Sequence, residues 1–157
     1  MIESQIYVDA MIWIAAFDPA HTAHIRATQI LQRISHPYNS NRLFLSDHVL
    51  SEIFAYVTRK QKNEGYTEDQ RVNFVTDSYD GIYNARNVKI LYVKDTNMGT
   101  GIEYIKQYPK IPASLSDWLS LILMVEYDIR VIQTFDRDFR KVTNQVPSFR
   151  HIKIWTA

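Results

Sequence analysis

The sequence contains no cysteine, which excludes disulfides, thiolate-bound zinc and cysteine nucleophiles and leaves the fold to be held by its own core. Glycine is scarce, at 4 of 157 residues, and no glycine-rich phosphate-binding loop is present. No apolar run reaches the roughly 18 residues needed to cross a bilayer, and the opening Met1-Ile2-Glu3-Ser4-Gln5 lacks the basic region of a secretory signal. A cytoplasmic chain without a membrane span is expected. Net charge is nearly absent too, at +1, so a polyanion would have to meet a local patch instead of a uniformly basic surface. What is there is 46% hydrophobic, enough for a substantial core at this length. No repeat or Gly/Ser-rich linker divides the chain, so a single domain over 1–157 is expected.

Apolar patterning orders the chain into strands and helices. Residues 5–8 alternate like a strand and run into the apolar stretch 10–17, which suits a buried strand feeding a helix, with Asp9 at the junction. A second helix is expected over 22–34. A short strand follows at 43–45, with Ser46 able to cap a helix whose apolar positions are 49, 50, 53, 54 and 57. Residues 67–86 read as a helix, and 88–93 as a strand with Ile90 and Tyr92 facing opposite to Lys89 and Leu91. Helices over 97–108 and 113–127 flank the breakers Pro109 and Pro112. The second carries the nearly unbroken apolar segment 118–125, so it must be largely buried. Strands at 130–135 and 152–155 complete the pattern. Strands alternating with helices predict an α/β fold, a three-layer α/β/α sandwich around a mainly parallel sheet.

Four acids stand out against this background. Asp9 and Asp136 each follow an apolar strand, which puts two carboxylates at the edge where open parallel sheets bind ligands. Either could instead be a helix cap or turn residue. Asp117 lies in Ser114-Leu115-Ser116-Asp117, a capping-box pattern, yet Leu121 and Met124 share its helical face, which turns it toward the interior. Glu52 sits at the edge of an apolar stripe between Val49 and Tyr56. Four converging carboxylates cannot all stay ionised near neutrality without a cation. Hard Mg²⁺ or Mn²⁺ is the natural choice, and such a site suits hydrolysis of a phosphodiester.

The segments Tyr7-Val8-Asp9-Ala10-Met11-Ile12-Trp13-Ile14-Ala15, Leu50-Ser51-Glu52-Ile53, Leu115-Ser116-Asp117 and Thr134-Phe135-Asp136-Arg137-Asp138-Phe139 resemble, in order and spacing, the PIN-domain nucleases. The resemblance implies a PIN-like fold and a metal-dependent ribonuclease acting on single-stranded or structured RNA, similar to the toxin halves of toxin-antitoxin pairs. It implies an RNA substrate, a protein antitoxin as partner and a homodimer. It places Asp9, Glu52, Asp117 and Asp136 in the catalytic set, with Asp9, Asp117 and Asp136 as ligands of Mg²⁺ or Mn²⁺. Thr134 takes the small hydroxyl position before the fourth acid, and Asp138 is an auxiliary. The chain departs from the family at Ala10-Met11, where a Ser or Thr usually follows the first Asp, and residues 65–86 are the expected site of extra helical length.

Arg137, Arg140 and Lys141 are the basic residues expected to contact RNA phosphates beside Asp136. Histidines 21, 24, 36, 48 and 151 show no zinc-ligand spacing and read as surface or capping residues. Trp13, Trp118 and Trp155 read as core residues. The alternative is a non-catalytic PIN-fold module that binds RNA or protein. Metal binding separates the two. A receiver or phosphatase domain fits less well, because Ala10 and Met11 follow Asp9 where those patterns want neighbouring acids.

Overall fold

The computed structural model describes residues 4–156; residues 1–3, part of the opening segment discussed above, and residue 157 lie outside that range. Its elements alternate as the patterning expects: β1 (Gln5–Val8), α1 (Ala10–Phe17), α2 (His24–Ile34), β2 (Arg42–Ser46), α3 (Asp47–Asn63), α4 (Glu68–Ile82), β3 (Val88–Leu91), α5 (Asp95–Gln107), α6 (Leu115–Glu126), β4 (Val131–Thr134), α7 (Phe139–Gln145) and β5 (Lys153–Thr156). The strands form one sheet in the order β3-β2-β1-β4-β5, and every adjacent pair is parallel. Helices α1 to α4 pack on one another, as do α5 and α6, so the sheet lies in an α/β/α sandwich. Among the described residues no helix is long and apolar enough to cross a membrane.

That strand order fixes where a site can form. The chain runs outward from β1 through β2 to β3, then returns to the other side of β1 for β4 and β5. The direction of travel reverses between β1 and β4, and the crevice beyond their carboxyl ends is the natural ligand position of such sheets. Asp9 directly follows β1, and Asp136 lies two residues beyond β4.

Burial explains why these segments hold. Ile6, Tyr7 and Val8 are fully buried, because β1 is central and covered on both faces. Helix α1 buries Ile12, Trp13, Ile14 and Ala15, and the Trp13 indole N–H donates to the Val8 carbonyl at 3.1 Å, tying the helix to the strand that feeds it. Helix α3 is C-capped by Glu64, and the next residue, Gly65, takes the left-handed φ of 72° that glycine adopts without a Cβ penalty. Gly101 in α5 stands so close to α6 that a Cβ there would meet Leu115 Cδ1 at 2.9 Å. The start of α6, which carries Asp117, is seated through that approach.

Several expectations are corrected. Trp155 is 40% exposed, not a core residue, because β5 is an edge strand; Trp13 and Trp118 are buried. Strand β3 stops at Leu91, which is buried, while Tyr92 beyond it is exposed. Helix α4 ends at Ile82, short of Arg86. Helices α2 and α6 start later than expected and α5 earlier, within two residues. Helix α7 lacks an apolar stripe strong enough to be anticipated. Ser46 occupies the N-cap position of α3 but makes no capping hydrogen bond with its side chain; its hydroxyl is engaged elsewhere.

Candidate active site

The side chains of Asp9, Glu52, Asp117 and Asp136 line one open cavity of about 330 Å³, together with Ala10, Met11 and Phe135. Residues from β1–α1, α3, α6 and the loop after β4 therefore meet at the crevice that the strand order defines.

Asp9 is anchored at both carboxylate oxygens. Oδ1 accepts the Ala10 amide at 2.9 Å, which makes Asp9 the N-cap of α1, and Oδ2 accepts the Thr134 hydroxyl at 2.8 Å. The same Thr134 oxygen accepts the Asp136 amide at 2.9 Å. Thr134 thus joins the two strand-end acids. Asp136 Oδ1 accepts the Asp138 amide at 2.8 Å, and Asp138 pairs with Lys141 at 2.7 Å. Arg140 donates to the Thr156 hydroxyl at 3.2 Å, and Arg137 is exposed.

Asp117 closes the capping box anticipated for α6. Its Oδ2 accepts the Ser114 amide at 2.8 Å, and its own amide donates to the Ser114 hydroxyl at 3.2 Å. Capping and cavity lining are compatible: the box orients the carboxylate with one oxygen and leaves lone pairs facing the cavity. Glu52 is half-buried on α3, where the Ser116 hydroxyl acts on it.

Three of these acids share an electrostatic strain. Burial pushes the Asp9 carboxyl up to about 7; bonds from Thr134 and Ala10 counteract this, and the Asp117 and Glu52 carboxylates add to the rise. Burial raises Glu52 and Asp117 as well, with Asp117 adding to Glu52, and Asp136 and Asp138 adding to Asp117. Carboxylates that raise one another are short of positive charge. The donor set is all oxygen, which suits a hard divalent cation. Among the described residues, no group of three His, Cys, Asp or Glu side chains is placed to hold a metal ion alone. Mg²⁺ commonly keeps several waters and takes only one or two carboxylates plus substrate phosphate, so the residues fit that ion.

A buried polar ring lies beneath the acids. Tyr7 Oη is 2.8 Å from Ser46 Oγ and 3.0 Å from Ser120 Oγ. His48 Nδ1 is 2.6 Å from Ser46 Oγ, and Nε2 is 3.1 Å from the Ser116 carbonyl and 3.2 Å from Ser120 Oγ. Burial lowers the His48 pKa, which favours the neutral ring. The Ser116 carbonyl can only accept, so Nε2 carries the proton and Nδ1 accepts from Ser46. One proton order then satisfies the ring: Ser46 donates to His48, His48 to Ser120, Ser120 to Tyr7 and Tyr7 to Ser46. His48 is thus not the surface or capping residue expected from sequence, whereas His21 and His36 do accept nearby backbone amides. The ring ties β1, β2, α3 and α6 together beside the positions that carry Asp9, Glu52 and Asp117.

The PIN-domain family model matches residues 6–145, and the chain belongs to the PIN-domain family. Among solved structures it is similar to VapC20 of Mycobacterium tuberculosis, described as a sarcin-ricin-loop-cleaving toxin, with a TM-score of 0.67 and 20% identity over 87% of this chain and 94% of that one. It is also similar to a chain of VapBC2 from Rickettsia felis, solved bound to a DNA fragment from their promoter, with a TM-score of 0.59 and 12% identity over 97% of this chain and 98% of that one. At those identities the likeness speaks for the fold. No curated protein matches.

Proposed function

We propose that this chain is a divalent-metal-dependent ribonuclease, with Asp9, Glu52, Asp117 and Asp136 as its catalytic set. The observation that carries the reading is the gathering of all four acids on one cavity at the reversal of strand order, with the Asp9 carboxyl held near 7 by burial and by its acidic neighbours. Keeping such a cluster costs stability unless a cation compensates it. Asp9, Asp117 and Asp136 would hold Mg²⁺ or Mn²⁺, one or two of them directly and the rest through its bound waters. When bound, the ion supplies Lewis-acid stabilisation of the charge on a phosphodiester and lowers the pKa of an attacking water.

The chain's own residues do the rest. Thr134 and the Ala10 amide fix the Asp9 carboxylate, and the Ser114 box fixes Asp117. Asp138 supports Asp136 through its amide. Glu52, outside the ligand set, takes a proton from the attacking water at its carboxylate. Arg137, Arg140 and Lys141 contact phosphates along the strand. Membership of the PIN family and the likeness to VapC toxins support an RNA substrate, a toxin role and a protein antitoxin; a cytoplasmic homodimer completes the proposal.

The test is cleavage of end-labelled single-stranded RNA by the purified protein with Mg²⁺, Mn²⁺ or EDTA. Asp9→Asn and Asp117→Asn are expected to lower the rate by about a hundred- to a thousandfold, the scale for losing one preorganised electrostatic group, and EDTA to abolish cleavage. RNA binding without cleavage in any metal would favour the non-catalytic module.

A further inference from the structure

The lip of the acidic cavity carries a cation that belongs to neither the acidic set nor the basic residues after Asp136. Arg26, an exposed residue on α2, places its guanidinium carbon 5.1 Å from the centre of the Phe135 ring. Phe135 itself lines the cavity beside Met11, which is 41% exposed. Among the described residues no carboxylate pairs with Arg26, whereas Lys141 is held by Asp138 and Arg140 by Thr156. An arginine on an aromatic face is oriented without being neutralised: the ring restricts the guanidinium plane and leaves its N–H groups for another acceptor.

An oxygen-rich anion is the ligand such a group takes, and an exposed thioether beside a half-open phenyl ring suits a flat apolar surface. Both are offered at the edge of a cavity whose floor is acidic. A lone phosphate would be repelled by that floor, and a lone apolar ring would leave the guanidinium N–H groups without an acceptor. Single-stranded RNA supplies the two together, since its unstacked bases are free to lie on aromatic or guanidinium planes.

We propose that Arg26, Phe135 and Met11 form a nucleotide subsite: Arg26 holds the phosphate next to the scissile one, and the Phe135–Met11 lip receives the adjoining base. The subsite rests on the reading of the chain as a ribonuclease and adds the residues that set the strand's register over the acids. Arg26 and Phe135 are positioning residues, since neither reaches the reacting atoms.

The experiment is fluorescence-anisotropy binding of a short, labelled, mixed-sequence single-stranded RNA in Mg²⁺, in an Asp117→Asn background that slows cleavage by about a hundred- to a thousandfold, at several salt concentrations. Arg26→Ala is expected to weaken binding and to reduce the slope of log affinity against log salt by roughly 0.7, the value for one phosphate contact on a single strand. Arg26→Lys should keep the slope and weaken binding less, because the charge survives and the planar stack does not. Phe135→Leu should weaken binding about tenfold and erase the preference for the intact RNA over one lacking bases. An unchanged slope in Arg26→Ala, or equal affinity of the Asp117→Asn protein for intact and abasic RNA, overturns the subsite alone. Failure of both that protein and the wild type to bind any single-stranded RNA overturns the ribonuclease reading and the subsite with it.

Discussion

Helix α1 begins at one aspartate and ends at another, and the two live under opposite rules. Asp18, at its end, is 3% exposed and surrounded by donors: the Tyr56 and Tyr66 hydroxyls and the Ala20 amide all point at its carboxylate. Burial and the bond to Asp18 push Tyr66 up to about 12 and raise Tyr56 as well, so both phenols remain donors throughout the neutral range. Asp9, at its start, has two donors, Thr134 and Ala10, and two carboxylates, Asp117 and Glu52, acting against it. A buried acid answered by hydrogen bonds holds a structure together. A buried acid facing other acids stores an unmet demand for positive charge. Eight residues of one helix separate a carboxylate answered by donors from one answered by other acids.

The largest effect is expected at Asp18. Asp18→Ala strands three donors in the α1–α4 packing and is expected to cost about 3 kcal/mol of stability, on the scale for unsatisfied buried partners, while the folded fraction still binds Mn²⁺ as the wild type does. Chemical denaturation followed by metal titration checks both halves.

At Asp9 the opposite sign is expected. Its carboxyl keeps in the folded state a proton that the unfolded chain releases near pH 4. Folding stability therefore falls as pH rises from about 4 to about 7 and levels off above that. Without metal, Asp9→Asn should be more stable than the wild type at pH 8, by on the order of 2 kcal/mol, and the gain should vanish by pH 5. Melting temperatures of the two proteins in EDTA across this range decide it.

The smallest effect is expected in the ring beneath the site. Tyr7→Phe removes one hydroxyl from the Ser46–His48–Ser120 circuit and should cost about 1 kcal/mol. It should also raise the metal concentration needed for half-maximal cleavage, because the ring braces the elements that carry Glu52 and Asp117. A melting shift with no change in metal demand would reduce the ring to packing.

Much of this was legible because the acids that matter sit where local pattern and topology coincide. Asp9 and Asp136 each close an apolar strand, and the Ser114-x-x-Asp117 spacing announces a cap whatever else Asp117 does. Parallel strands with buried faces also make the alternation of elements plain. What stayed hidden depends on partners distant in sequence. Ser46 has the chemistry of a cap, yet Tyr7, 39 residues away, engages its hydroxyl in the buried ring. Trp155 lies in an apolar run, and only the strand order reveals that β5 is an edge. Nothing near Arg26 in the chain points to Phe135; the fold brings them together over more than a hundred positions.

A cavity built for a divalent cation binds Mn²⁺ measurably, and calorimetric titration reads that binding. The wild type is expected to bind at pH 8 and to bind more weakly at pH 6, because a proton must leave the Asp9 carboxyl for the ion to enter, and Asp9→Asn should lose the binding. No heat of binding at pH 8, or binding that survives Asp9→Asn unchanged, would contradict the account.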